Sequence, residues 1–151
     1  MEWLVVLHVL AAIIGIGPTY FGSVLYREGQ SVGQLKHAVA IGQKLDLFPK
    51  IGGTIAVLTG IWLVAATGHA FGDFWIWASL ALYVAIQIVV VGILLPASKP
   101  LIAWLQETKA REDEPLPQAQ SAALRKINRL HAAAMTMGTL LFILMILKPL
   151  L

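Results

Sequence analysis

The chain has 151 residues, of which 58% are hydrophobic and 13% are charged. An ordinary globular protein carries about 25% charged residues, so the composition argues against a water-soluble fold. The formal net charge of +3 is spread between apolar stretches and forms no single basic face, which argues against a nucleic-acid-binding protein. With no cysteine, the chain has no disulfide, thiolate metal site or cysteine nucleophile.

Four apolar stretches predict transmembrane helices. Each is long enough to cross a hydrocarbon core of about 30 Å, which takes about 18 to 20 residues. The predicted spans cover residues 3–26, 50–67, 74–96 and 128–148. We therefore expect an all-α, polytopic membrane protein, a four-transmembrane-helix bundle that forms one domain over residues 1–151.

The basic residues predict the orientation of this bundle. Ten of the eleven lysines and arginines lie in the connections 27–50 and 97–129, and only Lys148 lies elsewhere. The positive-inside rule places these connections in the cytoplasm and both termini outside. The first span has no positive segment before it, as a signal peptide would, so we expect it to be retained. The bacterial cytoplasmic membrane is the predicted location, with the lipid bilayer as the partner of the spans.

Local signals refine the elements in chain order. Pro18 predicts a kink in the first span, because proline removes one backbone hydrogen bond and its ring crowds the preceding turn. Leu35, Val39 and Leu45 recur at near-helical spacing, which predicts an interfacial helix in the first connection. An acidic turn and Pro117 interrupt the second connection, and Ser121 is a candidate N-cap for the last helix.

Small and polar residues mark the faces that should look into the bundle, because in lipid they allow close helix approach and interhelical hydrogen bonds. Each predicted span carries such a face: His8, Ala11, Gly15 and Gly22; Gly52, Ala56, Thr59 and Gly60; Ser79, Tyr83 and Gln87; Asn128, His131, Met135 and Gly138.

Four polar side chains on these helices are expected at one level. At a rise of about 1.5 Å per residue, His8, Thr59, Tyr83 and Thr139 lie about 8 to 13 Å below the outer boundary, and Gln87 lies near the midplane. Ionisable groups inside a membrane are costly and often functional. The five residues predict a ligand-binding cavity in the outer half of the bundle; the alternative is a histidine that only fixes helix register.

The histidines also allow a b-type haem, whose iron takes axial imidazoles from facing helices. His8 and His131 are separated by about 15 to 20 Å along the membrane normal and cannot bind one iron. A haem would need His8 with His69 on the outer side, or His131 with His37 on the inner side.

Three functions remain open at this point. The first is a binding, transport or accessory protein for a small ligand or lipophilic cofactor, with no catalytic residues assigned. The second is a haem- or quinone-linked redox protein. The third is a structural subunit or homo-oligomer, with the face of Gly52, Ala56 and Gly60 available for a membrane-protein partner. The spans carry no acidic residue, which argues against a carboxylate-driven antiporter.

The chain resembles the DUF2269 family of predicted bacterial integral membrane proteins. The resemblance rests on three strings: Leu7-His8-Val9-Leu10 with Ile14-Gly15-Ile16-Gly17-Pro18-Thr19; Leu47-Phe48-Pro49-Lys50-Ile51-Gly52-Gly53-Thr54; and Met145-Ile146-Leu147-Lys148-Pro149. It implies four transmembrane helices and the cytoplasmic membrane, and it assigns no catalytic residues.

Overall fold

The computed structural model describes residues 1–67 and 73–148, and the regular structure of these residues is helical. Within this part of the chain, seven α-helices and two helical segments of other types follow one another: α1 (Glu2–Ile16), a 3₁₀ segment (Gly17–Phe21), α2 (Gly22–Leu25), α3 (Val32–Leu45), α4 (Leu47–Thr67), α5 (Phe74–Gln87), a π segment (Ile88–Leu94), α6 (Leu95–Glu107) and α7 (Gln118–Leu147).

Among the described residues, four helical stretches are long and apolar enough to cross a membrane. They are Glu2–Leu25, Val32–Thr67, Phe74–Glu107 and Gln118–Leu147, with mean hydropathies of 2.0, 1.6, 2.5 and 2.0. This confirms the all-α class with four candidate spans. We call the end of the bundle that carries α3, α6 and the connection 108–117 the loop end. We call the opposite half of the bundle the terminal half.

The first span changes helix type at the predicted position. Pro18 occupies the first turn of the 3₁₀ segment, and α-helical geometry resumes at Gly22. Because proline cannot donate to the carbonyl four residues earlier, the tighter 3₁₀ turn follows from the covalent structure of Pro18.

The third span contains a π segment that the sequence analysis did not predict. It runs from Ile88 to Leu94 and ends just before Leu95 and Pro96, the first two residues of α6. Pro96 has no N–H and its ring crowds the carbonyl of Gly92, and wider π turns relieve that crowding.

The spans associate in two tightly packed pairs, α1 with α4 and α5 with α7. Gly15 and Gly52 lie at the crossing of the first pair. A Cβ atom added to Gly52 would lie 2.6 Å from the Gly15 backbone nitrogen and 2.8 Å from the Ala11 carbonyl oxygen. The small-residue face that contains Gly52 is therefore used within the chain.

The loop end contains the most deeply buried side chains among the described residues. Its core combines residues of α3, the π segment, α6 and α7: Val32, Leu35, Val39, Leu94, Leu101, Leu105, Leu124 and Ile127. The predicted helix in the first connection is present as α3, but its apolar face packs against protein and is not a simple interfacial face. Its apolar residues recur with helical period, and α6 and α7 supply the surface that buries them.

The start of α3 is held by the second connection. Val32 N–H donates to the Glu114 carbonyl and Gly33 N–H donates to the Glu112 carbonyl, both at 3.0 Å. The Ser31 hydroxyl accepts from Gln34 N–H, and the Gln34 side chain accepts from Ser31 N–H. This capping box and the two carbonyls satisfy N–H groups that a helix start leaves free.

The last helix begins earlier than predicted. Its N-cap is Pro117, so the prediction that Ser121 caps the helix is wrong. Ser121 lies in the first turn and its hydroxyl donates to the Leu116 carbonyl at 3.2 Å. The extended backbone at Pro117 already starts the helix there.

Candidate functional site

His8 of α1 lies against α4 in the terminal half of the bundle. Its Nδ1 atom is 2.8 Å from the Ala56 carbonyl oxygen and 3.1 Å from the Thr59 Oγ1. A carbonyl oxygen can only accept, so the hydrogen bond to Ala56 requires a proton on Nδ1. In a neutral imidazole this leaves Nε2 with a free lone pair.

The hydroxyl of Thr59 supports the same assignment. It is 2.7 Å from the Ile55 carbonyl oxygen, to which it donates, so its oxygen is free to accept from His8. Thr59 itself is only 6% exposed. The spacing of Ala56, Thr59 and Gly60 places all three on one face of α4, since residues three and four apart are neighbours on a helix.

Gly60 provides the room for the imidazole. A Cβ atom at this position would lie 3.0 Å from the His8 Cε1 atom and 3.9 Å from Nε2. The ring is thus oriented by hydrogen bonds on its Nδ1 side and lies close to backbone on the Gly60 side. We call His8, Ala56, Thr59 and Gly60 the His8 site.

The other predicted site residues lie in separate contacts. Thr139 is 2.7 Å from the Tyr20 phenol oxygen, and its hydroxyl also lies 2.9 Å from the Met135 carbonyl. Because the Thr139 proton can go to that carbonyl, Tyr20 is the donor to Thr139. The sequence analysis did not select Tyr20. The one feature of the sequence that could have drawn attention to it is its position two residues after Pro18.

Tyr83 and Gln87 of α5 are not joined to His8 by a hydrogen bond among the described residues. The Tyr83 phenol oxygen approaches Gly53 of α4, where an added Cβ would lie 3.8 Å away. Gln87 is the last residue of α5, immediately before the π segment. His69, the predicted outer haem partner of His8, lies outside the described residues.

A second polar group lies toward the loop end. The imidazole of His131 stacks on the Tyr26 ring, with ring centres 5.0 Å apart and planes at 16°. Gly22 contacts the same imidazole so closely that a side chain there would collide with it. Within the described part of the chain, His131 Nδ1 and Asn128 Oδ1 are buried without a hydrogen-bond partner.

The inner pair of histidines that could hold haem is not brought together by these contacts. His131 is covered by Tyr26 and Gly22, whereas His37 is exposed on α3 and lines a cleft with Val24 and Arg27. Across residues 1–67 and 73–148, no three histidine or acidic side chains gather to hold a metal ion.

These features define a polytopic helical membrane protein with an oriented histidine between its first two spans. A family model described as a predicted integral membrane protein, DUF2269, matches residues 2–149. The chain therefore belongs to the DUF2269 family, as the resemblance in its sequence indicated. No curated protein and no solved structure matches the chain.

Proposed function

We propose that this integral membrane protein binds a small ligand or lipophilic cofactor in the terminal half of the bundle, as a binding, transport or accessory protein. The observation that carries the proposal is the orientation of His8. Its Nδ1 proton is directed to the Ala56 carbonyl at 2.8 Å, which leaves Nε2 as an acceptor or ligand atom at membrane depth. An ionisable group inside a membrane has a high free-energy cost, and for that reason such groups often mark functional sites.

The remaining predicted residues would complete the binding surface from the facing pair of helices. Tyr83 and Gln87 lie on α5, and Thr139 lies on α7. Tyr83 reaches the neighbourhood of Gly53 on α4, the helix that also carries Thr59. A ligand between the two helix pairs would thus meet Nε2 of His8 on one wall and phenol, amide or hydroxyl groups on the other.

Haem is the second candidate, and one observation favours it. An imidazole that donates from Nδ1 to a backbone carbonyl and keeps Nε2 free has the form in which histidine ligates a metal. In that case His8 would be one of the two ligands that hold the iron. The second would come from His69, as the sequence suggested, and the described residues offer no other histidine beside His8.

The orientation of the chain in the membrane and its location in the cell are part of the same proposal. The positive connections at the loop end support a cytoplasmic loop end, both termini outside and the bacterial cytoplasmic membrane. A homo-oligomer or a complex with another membrane protein would need a surface other than the Gly52 face, which α1 covers.

The test compares His8→Ala with Leu58→Ala, which shortens an exposed side chain of α4 that belongs to neither proposed site. The protein is purified from bacterial membranes in detergent. Its co-purified small molecules are identified by native mass spectrometry, and the binding of added hemin is followed in its optical spectrum. We expect a bound species or a Soret shift in the wild-type protein and in Leu58→Ala, and its loss in His8→Ala. Equal binding by all three proteins would contradict the proposal.

A further inference from the structure

A cleft of about 500 Å³ opens at the loop end between the end of the first span and α3. We call its apolar lining residues Val24 and Leu25 the floor, and its polar lining residues Arg27, Gln34 and His37 the rim. We call it the loop-end cleft. It lies on another part of the molecule from the His8 site and does not depend on the function proposed there.

The rim of the loop-end cleft presents hydrogen-bond donors and positive charge. Arg27 has no hydrogen bond or ion pair from its guanidinium within the described part of the chain. The Gln34 Oε1 atom accepts from Ser31 N–H at 3.1 Å, so the amide nitrogen of Gln34 remains as a donor. His37 is exposed beside them. Such donors complement the oxygens of an anion, and Arg matches phosphate in particular.

The acidic residues near the loop-end cleft lie in the adjoining connections, and Glu112 contacts Gly33 of the cleft lining through its backbone. None of the residues that line the loop-end cleft is acidic. Two carboxylates of the adjoining connections are engaged elsewhere, since Glu28 lies 3.5 Å from Arg125 and Asp113 lies 3.1 Å from Arg111. The charge of Arg27 therefore remains available to a ligand.

The floor of the cleft is apolar and continues into the first span. Val24 is 64% exposed and lies at the end of the first span, which is apolar enough to lie in lipid. It precedes Arg27 by less than one helical turn. A ligand that used both groups would carry an anionic oxygen group at the membrane boundary and an apolar chain beside it.

The turn that presents Arg27 is fixed before any ligand binds. Gln30 is buried, and its amide nitrogen donates to the Leu25 carbonyl at 2.6 Å and to the Arg27 carbonyl at 3.0 Å. Gly29 adopts a φ of +79°, which glycine adopts without strain. A preorganised rim lowers the entropy lost on binding.

We propose that the loop-end cleft binds one anionic phospholipid, with its phosphodiester at Arg27, Gln34 and His37 and an acyl chain along Val24. The apolar floor favours a phospholipid over free phosphate, because a small anion would leave Val24 and Leu25 unused. The basic rim favours an anionic over a zwitterionic headgroup, whose own cation would be repelled by Arg27.

The experiment measures lipid retention by native mass spectrometry of the full chain after addition of phosphatidylglycerol or phosphatidylcholine. We expect one retained phosphatidylglycerol per chain in preference to phosphatidylcholine. Arg27→Gln should lower that retention about fivefold, the effect of one basic residue near an anionic surface. Gln30→Ala, which frees the turn, should lower it less.

Lys36→Gln is the matched control, because it removes the same charge next to His37 from a residue that does not line the cleft. Its retention of phosphatidylglycerol should equal that of the wild type, and the thermal midpoints of all variants should be compared to confirm folding. Equal losses in Arg27→Gln and Lys36→Gln, no loss in either, or displacement of the lipid by 10-fold excess inorganic phosphate would each overturn the proposal.

Discussion

The loop end and the terminal half of the bundle are held together in different ways. At the loop end, Leu35 of α3 is 0% exposed and belongs to a core of interlocking aliphatic side chains from four elements. In the terminal half, large aliphatic side chains such as Leu58 point away from the protein, and the close contacts involve glycines and the His8 hydrogen bonds.

The difference shows which interaction stabilises each region. Near water, burial of apolar surface drives association of helices, so α3 gains by covering α6 and α7. In lipid, an aliphatic side chain gains nothing from leaving the hydrocarbon, and association depends on close backbone packing and interhelical hydrogen bonds. The following predictions test this contrast, from the largest expected effect to the smallest.

Truncation of one leucine in each region tests the contrast directly. Leu35→Ala should lower the free energy of unfolding by about 2 to 5 kcal/mol, because it leaves a cavity in a closed core. Leu58→Ala removes a side chain that is 62% exposed, and its effect should be below about 1 kcal/mol. Reversible unfolding in detergent monitored by circular dichroism measures both. Equal losses would show that the two regions are stabilised alike.

A single added methyl group tests the close approach of α1 and α4. Gly52→Ala places a Cβ 2.6 Å from the Gly15 nitrogen, so backbone must move, and we expect a loss of about 1 to 3 kcal/mol. Gly53→Ala is the control on the adjacent residue, where the nearest atom would be the Tyr83 phenol oxygen at 3.8 Å. The helix-packing interpretation fails if the second substitution destabilises as strongly as the first.

The hydrogen bond between His8 and Thr59 should contribute less than the glycine contact. Thr59→Val keeps the shape and removes the hydroxyl, and interhelical hydrogen bonds in membranes average about 0.6 kcal/mol. Thr67→Val is the control, since among the described residues the Thr67 hydroxyl donates only to the Leu63 carbonyl of its own helix. Nitrogen-15 NMR of labelled histidine should still report a proton on His8 Nδ1, held by Ala56. A proton on Nε2 instead would contradict the assigned tautomer and weaken the proposed site.

The ion pair between Glu28 and Arg125 joins the first connection to α7 at the loop end and should have the smallest effect. Both side chains are about half exposed to solvent and 3.5 Å apart, so Glu28→Gln should cost at most about 1 kcal/mol. The cost should fall further in 0.5 M salt because the pair is screened. A larger loss of unfolding free energy that salt does not reduce would mean that polar contacts of the first connection, and not the aliphatic core, hold the loop end together.

The candidate site was only partly readable from the sequence. The small-residue faces placed His8 and Thr59 on inward faces at one level, and the structure joins these two side chains. The contacts of His8 with Ala56 and Gly60 were not predicted; they follow because residues three and four apart on α4 share a face. The depth of each residue, counted along straight helices, placed Thr139 at about the level of His8. In the structure the Thr139 hydroxyl instead pairs with the Tyr20 phenol. The level of a residue along the membrane normal does not show which helix lies next to which, and Tyr20 lies inside the 3₁₀ segment, where the helix geometry changes.

What the sequence alone determined is the class of the protein and the break in its first span. Hydropathy is a sum over neighbouring residues, so four spans follow from composition, and the covalent structure of proline dictates the break at Pro18. The tertiary structure decided the partners: α1 with α4, α3 over α6 and α7, and Tyr26 against His131. Those choices depend on helix rotation and crossing, which bring together residues distant in the chain and which an apolar sequence pattern leaves open in lipid.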